Sequence, residues 1–195
     1  MGLLDERNYY KPFNYSWAFE AYKQQQHMHW LPDEVTLADD LKDYREKLSD
    51  DNRKLLSNIF RFFTQADVDV ACGYATHYLP TFKQPEVRMM LSAFANMEAV
   101  HQEAYSLLLE TLGYDDSEYQ MFTQVQAMSD KHEYLSKFDT DTRVGLAKTM
   151  AVYSAFTEGV QLFSSFAILL NFPRHNYMKG MGQIVTWSIR DETLH

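Results

Sequence analysis

Glu98, His101 and Tyr105 fall at i, i+3 and i+7 within Asn96-Met97-Glu98-Ala99-Val100-His101-Gln102-Glu103-Ala104-Tyr105. At about 100° per residue, that spacing puts all three on one narrow face of a helix. Around them Met89, Leu91, Phe94, Met97, Val100, Ala104 and Leu108 recur at helical spacing. A carboxylate, an imidazole and a phenol thus stand where an ordinary helix carries Leu or Val. Burying such groups without partners costs on the order of a few kcal/mol each. A metal ion would compensate. The Glu-x-x-His pair recurs once, at Glu192-Thr193-Leu194-His195.

The rest of the chain reads as long helices. Only 7 Gly and 5 Pro occur in 195 residues, too few breakers for a turn-rich fold. Residues 8–14 read as an extended aromatic arm. Ser16 is a candidate cap for a helix to Met28, with Trp17, Ala21 and Gln24 on one side. Pro32 breaks that helix, and a short one follows from Leu37 to Tyr44. Four long helices are predicted near 50–78, 85–112, 141–170 and 180–195. Ser49-Asp50-Asp51-Asn52 caps the first, whose apolar face is Leu55, Ile59, Phe62, Phe63, Ala66 and Val70, and Pro80 ends it. Pro85 opens the second and Gly113 stops it. Asp139-Thr140-Asp141-Thr142 caps the third, with Leu146, Met150, Tyr153, Phe156, Val160 and Phe163 facing the core and Pro173 closing it. Gly180 and Gly182 open the fourth.

Each long helix carries a carboxylate on its apolar face. Asp67 and Glu158 supply two of them, and the Glu-x-x-His pairs supply the rest. One carboxylate from each of two helices plus Glu-x-x-His from each of the other two is the di-metal layout of a four-helix bundle. A single Glu-x-x-His is most often a surface salt bridge. Two pairs, each matched by an inward carboxylate on another helix, argue for metal. Asp67, Glu98, His101, Glu158, Glu192 and His195 are therefore the candidate ligands of two divalent ions. Hard oxygen donors with two nitrogens suit iron or manganese, and Cys72, the sole cysteine, offers no thiolate cluster for zinc. Asp69 points to another face and is expected to be solvated. Glu103 reads as a surface charge. His27, His29, His77, His132 and His175 lack a carboxylate partner at ligand spacing. Tyr105, one turn beyond His101, is a candidate redox residue.

Composition excludes other classes. The net charge is −9 with no basic run, which speaks against a nucleic-acid surface. The start, Met1-Gly2-Leu3-Leu4-Asp5-Glu6, has neither a basic nor an apolar leader segment. No apolar stretch of transmembrane length lacks polar interruption, so no membrane association is expected. One cysteine permits no intrachain disulfide, which fits a cytoplasmic location.

These residues resemble the radical-generating small (beta) subunit of class I ribonucleotide reductase. The resemblance covers nearly the whole chain. It rests on Lys11-Pro12-Phe13, Trp30-Leu31-Pro32-Asp33-Glu34-Val35, Phe62-Phe63 with Asp67, Glu98-x-x-His101-x-x-x-Tyr105, Glu158, and Arg190-Asp191-Glu192-x-x-His195. It implies an all-α, ferritin-like four-helix bundle with additional helices, as one domain over residues 1–195. It implies the same six metal ligands, holding two iron ions or, alternatively, manganese or a mixed pair. Tyr105 becomes the expected stable radical. Trp30 and Asp191 match an internal relay that reaches His101. The implied partners are the large (alpha) subunit, which reduces ribonucleotides, and a second copy of the chain. The family's apolar tyrosine pocket corresponds to Leu162, Phe166 and Ser188, so one wall here is polar. The family continues past the position of His195, so a chain truncated at its C-terminus is expected. Two other readings share the fold: a di-metal oxidase, which needs a channel to the metals but no Trp30–Asp191 relay, and a metal-storage protein.

Overall fold

A computed structural model describes residues 2–138 and 140–195, with Phe122 and Thr123 as backbone alone. Among these residues the secondary structure is entirely helical. The helices are α1 (Ser16–Met28), α2 (Ala38–Glu46), α3 (Asp50–Gly73), the short α4 (Leu79–Thr81), α5 (Pro85–Leu112), α6 (Gln126–Leu135), α7 (Arg143–Met150), α8 (Phe163–Arg174) and α9 (Lys179–Leu194). π-helical stretches Tyr74–Tyr78 and Ala151–Leu162 join α3 to α4 and α7 to α8 without a break. Four long rods result: α3, α5, the continuous 143–174 helix, and α9. Among the described residues α5 packs on α3, α3 meets the 143–174 helix, α8 packs on α9, and α9 returns to α5. That closes a four-helix bundle. α1 lies along α5, and α2 lies against α9.

Local chemistry sets the ends. Ser49 caps α3 by accepting from Asn52 N at 3.3 Å. Pro85 occupies the first turn of α5, and Gly113 ends it in the left-handed region at φ 90°. Thr142 caps α7 by accepting from Gly145 N at 3.0 Å; Asp139, part of the expected cap cluster, lies outside the described residues. Ser16 is not a cap: Tyr15 holds that position, without a side-chain bond. α9 is capped from outside. Asp40 of α2 accepts from Gly180 N and Met181 N at 2.9 and 2.8 Å, and Asp43 accepts from Met178 N at 3.0 Å. The approach is close enough that a Cβ on Gly180 would sit 2.7 Å from Thr36 O.

The 143–174 helix departs from the expected phase. Met150, Phe156 and Val160 are exposed, whereas Tyr153, Thr157, Glu158 and Leu162 are buried. Buried positions now recur every four to five residues because the backbone is π-helical there, with i→i+5 bonds in place of i→i+4. Leu55 of α3 is likewise exposed. On α1 it is Ala18 and Gln25 that are buried, and not Trp17 and Gln24. The 143–174 helix is long enough to cross a membrane and its most apolar 18-residue window has a mean hydropathy of 1.2, but Lys148, Glu158 and Gln161 interrupt the helix, as expected. Here it forms one wall of the bundle and brings Glu158 inward.

The core is two apolar clusters. One holds Phe63, Ala66, Met97, Ala104, Tyr105, Leu162, Phe166 and Ile184. The other holds Val70, Tyr74, Tyr78, Leu91, Phe94, Leu146 and Tyr153. Along every rod the candidate ligands fall where one cluster gives way to the other. Asp67 lies between Ala66 and Val70, Glu98 beside Met97, and Glu158 between Tyr153 and Leu162.

Candidate metal centre

Glu98, Glu158, Glu192 and His195 gather in that layer, and Asp67 and His101 are buried next to it. Asp67, Glu98, His101 and Glu158 are 0–3 % exposed, and the side chains of Glu192 and His195 are buried. Ligand atoms of Glu98, Glu158, Glu192 and His195 lie within 4.8 Å of one another, a group that could hold a metal ion. His101 stands beside it, with Nδ1 3.2 Å from Glu192 Oε1 and 3.7 Å from Glu98 Oε2. His195 Nδ1 is 3.0 Å from Glu98 Oε1 and 3.4 Å from Glu192 Oε2. Glu98 and Glu192 therefore each span the two imidazoles, one oxygen toward each.

The imidazoles are oriented from outside the layer. His101 Nε2 meets Asp191 Oδ2 at 3.2 Å. That same oxygen accepts from Trp30 Nε1 at 2.7 Å. Gln25 Nε2 donates to Asp191 Oδ1 at 3.1 Å, while Gln25 Oε1 accepts from His195 Nε2, also at 3.1 Å. Both Nε2 atoms thus have partners outside the layer, and both Nδ1 atoms face into it. Outer hydrogen bonds of this kind fix tautomer and ring orientation in metal sites.

The layer is short of positive charge. Asp67 Oδ2, both oxygens of Glu98, Glu192 Oε2 and both Nδ1 atoms are buried without a hydrogen-bond partner. Burial, then the Glu98 charge, pushes the Asp67 carboxyl well above its usual range. Burial, then Glu192, does the same to Glu158. Burial opposes the charge on Glu192 as well, yet the His101 and His195 imidazoles that face it outweigh burial and hold this carboxyl at about 2. Burial likewise works against a charged His195, and Glu192 and Glu98 override it, raising the imidazole to about 10. Four carboxylates crowded out of water take up protons or cations, and the donor set suits hard divalent ions.

Two phenols flank the layer. Tyr105 is 1 % exposed, donates to Ser188 Oγ at 3.2 Å, and stacks on Phe63, which stacks on Phe166. Ser188, the polar wall of the expected pocket, thus takes the phenol's hydrogen bond. Tyr74, on the other side, donates to Glu158 Oε1 at 3.2 Å.

Two expectations fail. Asp69 is buried and not solvated; it accepts from Gln65 Nε2 at 2.9 Å and meets His132 Nδ1 at 2.7 Å. His132 therefore has a carboxylate partner, supplied by α3 across the bundle wall where helical spacing within α6 could not reveal it. Gln25 and Tyr74 were not among the expected site residues. Gln25 carried no signal, being one of three consecutive glutamines; Tyr74 carried one, lying seven residues after Asp67.

Fold and site define a class: a helical bundle built around a buried carboxylate–imidazole layer that could hold metal. Within it the chain belongs to the family "Ribonucleotide reductase, small chain", whose description matches residues 7–195. The probable ribonucleoside-diphosphate reductase small subunit of Invertebrate iridescent virus 6 is 50 % identical over 209 aligned residues, 100 % of this chain and 58 % of that protein. The chain thus spans little more than half the length of that relative. The ribonucleotide reductase Rnr4 homodimer from Saccharomyces cerevisiae has the same fold, with a TM-score of 0.86 at 19 % identity, over 98 % of this chain and 62 % of that one. Dimanganese(II)-NrdF from Streptococcus sanguinis scores 0.82 at 22 % identity, over 96 % and 68 %.

Proposed function

We propose that this chain is the radical-generating part of a ribonucleoside-diphosphate reductase small subunit. The observation that carries the reading is the pairing of an orphaned carboxylate–imidazole layer with a hydrogen-bond line, Trp30–Asp191–His101, leading out of it. Asp67 with His101 and Glu158 with His195 would hold one ion each. Glu98 and Glu192 would lie between them. When bound, the ions supply one-electron oxidising power drawn from an oxygen species. The donor set accepts iron and manganese alike, and the manganese form of the Streptococcus protein supports the second.

The chain's own residues do the rest. Gln25 and Asp191 hold both Nδ1 atoms toward the ions. Burial, then the Asp67 charge, keeps Tyr105 a neutral phenol, so it gives up its proton together with an electron. Phe63 and Phe166 keep water from its ring. Asp191 joins the His101 imidazole to the Trp30 indole, so the hole is exported toward a large (alpha) subunit that reduces ribonucleotides. A homodimer is supported by the yeast neighbour, and the free, exposed Cys72 is compatible with the cytoplasm.

In the metal-loaded protein, Glu158→Ala should lower bound metal. Tyr105→Phe should remove a tyrosyl paramagnetic signal with metal intact. Trp30→Phe should keep the signal yet stop ribonucleotide reduction with the large subunit. Undiminished reduction by Trp30→Phe would sink the relay. A second reading, a di-metal oxidase, is favoured by a cavity of about 280 Å³ that reaches Glu158 and His195. It predicts oxidation of an added organic substrate that Trp30→Phe leaves unchanged. A metal-storage cage would show at once by light scattering.

A further inference from the structure

Trp30 is buried in the bundle, and among the described residues two aromatic rings meet it. On the inner side stands His101, with ring centres 5.9 Å apart. On the outer side stands Trp187 of α9, closer still, at 5.2 Å and tilted by 49°. Centroid separations of about 4.5–7 Å are those of aromatic rings in contact. The chain has only three tryptophans, so two of the three form this pair. The third, Trp17, is 53 % exposed on α1, and its ring meets Tyr15.

The indole pair joins the interior to solvent. Ile184, Val185, Ser188 and Asp191 of α9 are buried, whereas Gln183, Thr186 and Arg190 are exposed. Trp187 falls at the border of those two faces. Part of its ring packs on the core cluster that holds Trp30, and the rest is open to water. Packing at such a border asks only for an apolar side chain. Here it is an indole, a ring that gives up an electron readily, set against the indole at which the line from His101 through Asp191 ends. Trp30 itself cannot meet a donor in solution, because its ring is covered and its N–H is committed to Asp191 at 2.7 Å.

We propose that Trp187 is a surface outlet of the relay: it refills Trp30 when no partner protein does, and passes the oxidising equivalent to one-electron donors in solution. The inference rests on the reading that Trp30 carries oxidising equivalents out of the layer, and it extends that path by one ring. The primary oxidant is an iron or manganese pair that hydrogen peroxide or dioxygen has oxidised. In the step, one electron leaves the Trp187 ring and enters the oxidised Trp30 ring, which is restored. Oxidised Trp187 loses its indole proton to water and is left as a neutral radical. A donor in solution then supplies one electron, water returns the proton, and Trp187 is restored in turn. Where no donor is present, the radical adds dioxygen and leaves an oxygenated ring as its trace.

The test uses the metal-loaded protein alone, treated with hydrogen peroxide in air without a donor, digested and read by mass spectrometry. Oxygen addition is expected at Trp187, above that at the more exposed Trp17 and above that in metal-free protein. Trp30→Phe should bring Trp187 down to the metal-free level, with two-ion occupancy and circular dichroism unchanged. Oxidation of Trp187 that Trp30→Phe leaves in place overturns the proposal, because peroxide then reaches the ring from solution; so does the absence of any oxidation there. Trp187→Phe, at a partly exposed position, supplies a second reading that does not depend on how Trp30→Phe folds. Reduced cytochrome c, a one-electron donor too large to enter the bundle, should be oxidised by the loaded protein with peroxide, and more slowly by this variant. An unchanged rate likewise overturns the outlet. Elemental analysis of the same samples separates these failures from a deeper one: if no ions bind, the di-metal reading itself falls, and this inference falls with it.

Discussion

The two apolar clusters beside the carboxylate layer come largely from the same rods, yet they pack differently. On the Tyr105 side the rings lie face to face: Tyr105 on Phe63 at 4.6 Å and 11°, Phe63 on Phe166 at 5.0 Å and 12°. On the Tyr74 side they meet edge-on: Tyr74 to Tyr78 at 5.8 Å and 71°, Tyr78 to Tyr153 at 6.2 Å and 79°. On the second side a cavity of about 280 Å³, lined by Tyr74, Tyr78, Leu91 and Phe94, touches Glu158 and His195. Both π-helical stretches contribute to that side as well. The lesson is that helical phase decides access. Regular α3 and α5 turns close one face of the layer, and π turns leave the other open enough for small molecules.

The sharpest way to break this comparison is to delete the same side chain from each cluster. Leu108 is 1 % exposed in the closed cluster and Leu91 is 6 % exposed beside the cavity. Leu108→Ala should cost about 4 kcal/mol and Leu91→Ala about 2 kcal/mol, opposite ends of the range for a buried leucine. Denaturant unfolding measures both, and equal costs would mean that the two sides are packed alike. Gly180→Ala comes next. Its Cβ meets Thr36 O at 2.7 Å, so the start of α9, which feeds Met181 and Ile184 into the closed cluster, must shift. Overpacking of this kind costs about 1–3 kcal/mol. Bound metal should fall as well, because Asp191, Glu192 and His195 ride on the same helix; unchanged metal with lowered stability would show that the ligand end is decoupled from the capped end. The smallest effect belongs to Thr142→Ala, which removes the α7 cap on the open side and should cost about 1 kcal/mol. Hydrogen exchange should quicken over residues 143–150 and leave α5 untouched. Faster exchange in α5 would mean that the open side unfolds only with the whole bundle.

The six candidate ligands were legible because each is a polar group alone on an apolar face, and because Glu-x-x-His spacing survives in any α-helix. Pro85 and Gly113 marked the limits of α5 for equally local reasons. What escaped was non-local or off-phase. Nothing in Ala151–Leu162 announces i→i+5 bonding, so the 3.6-residue period turned Phe156 and Val160 inward when both face out. Asp69 was misread because its partner His132 comes from another helix, 63 residues away. Gln25 is one of three consecutive glutamines, and only its tertiary partners single it out.

That glutamine has a consequence for the order in which the molecule is assembled. Gln25 reaches Asp191 across 166 residues and His195 across 170, and Trp30 reaches Asp191 across 161. Contacts of such separation carry the heaviest loop-closure entropy and form after local ones. The α3–α5 pair, joined by a short connection, can bring Asp67, Glu98 and His101 together early. The tautomer of His195 waits until α1 and α9 meet, although α1 holds no candidate ligand of its own. If the layer holds ions, one arriving before that meeting would find half a site, and the docking of α1 onto α9 would complete the other half.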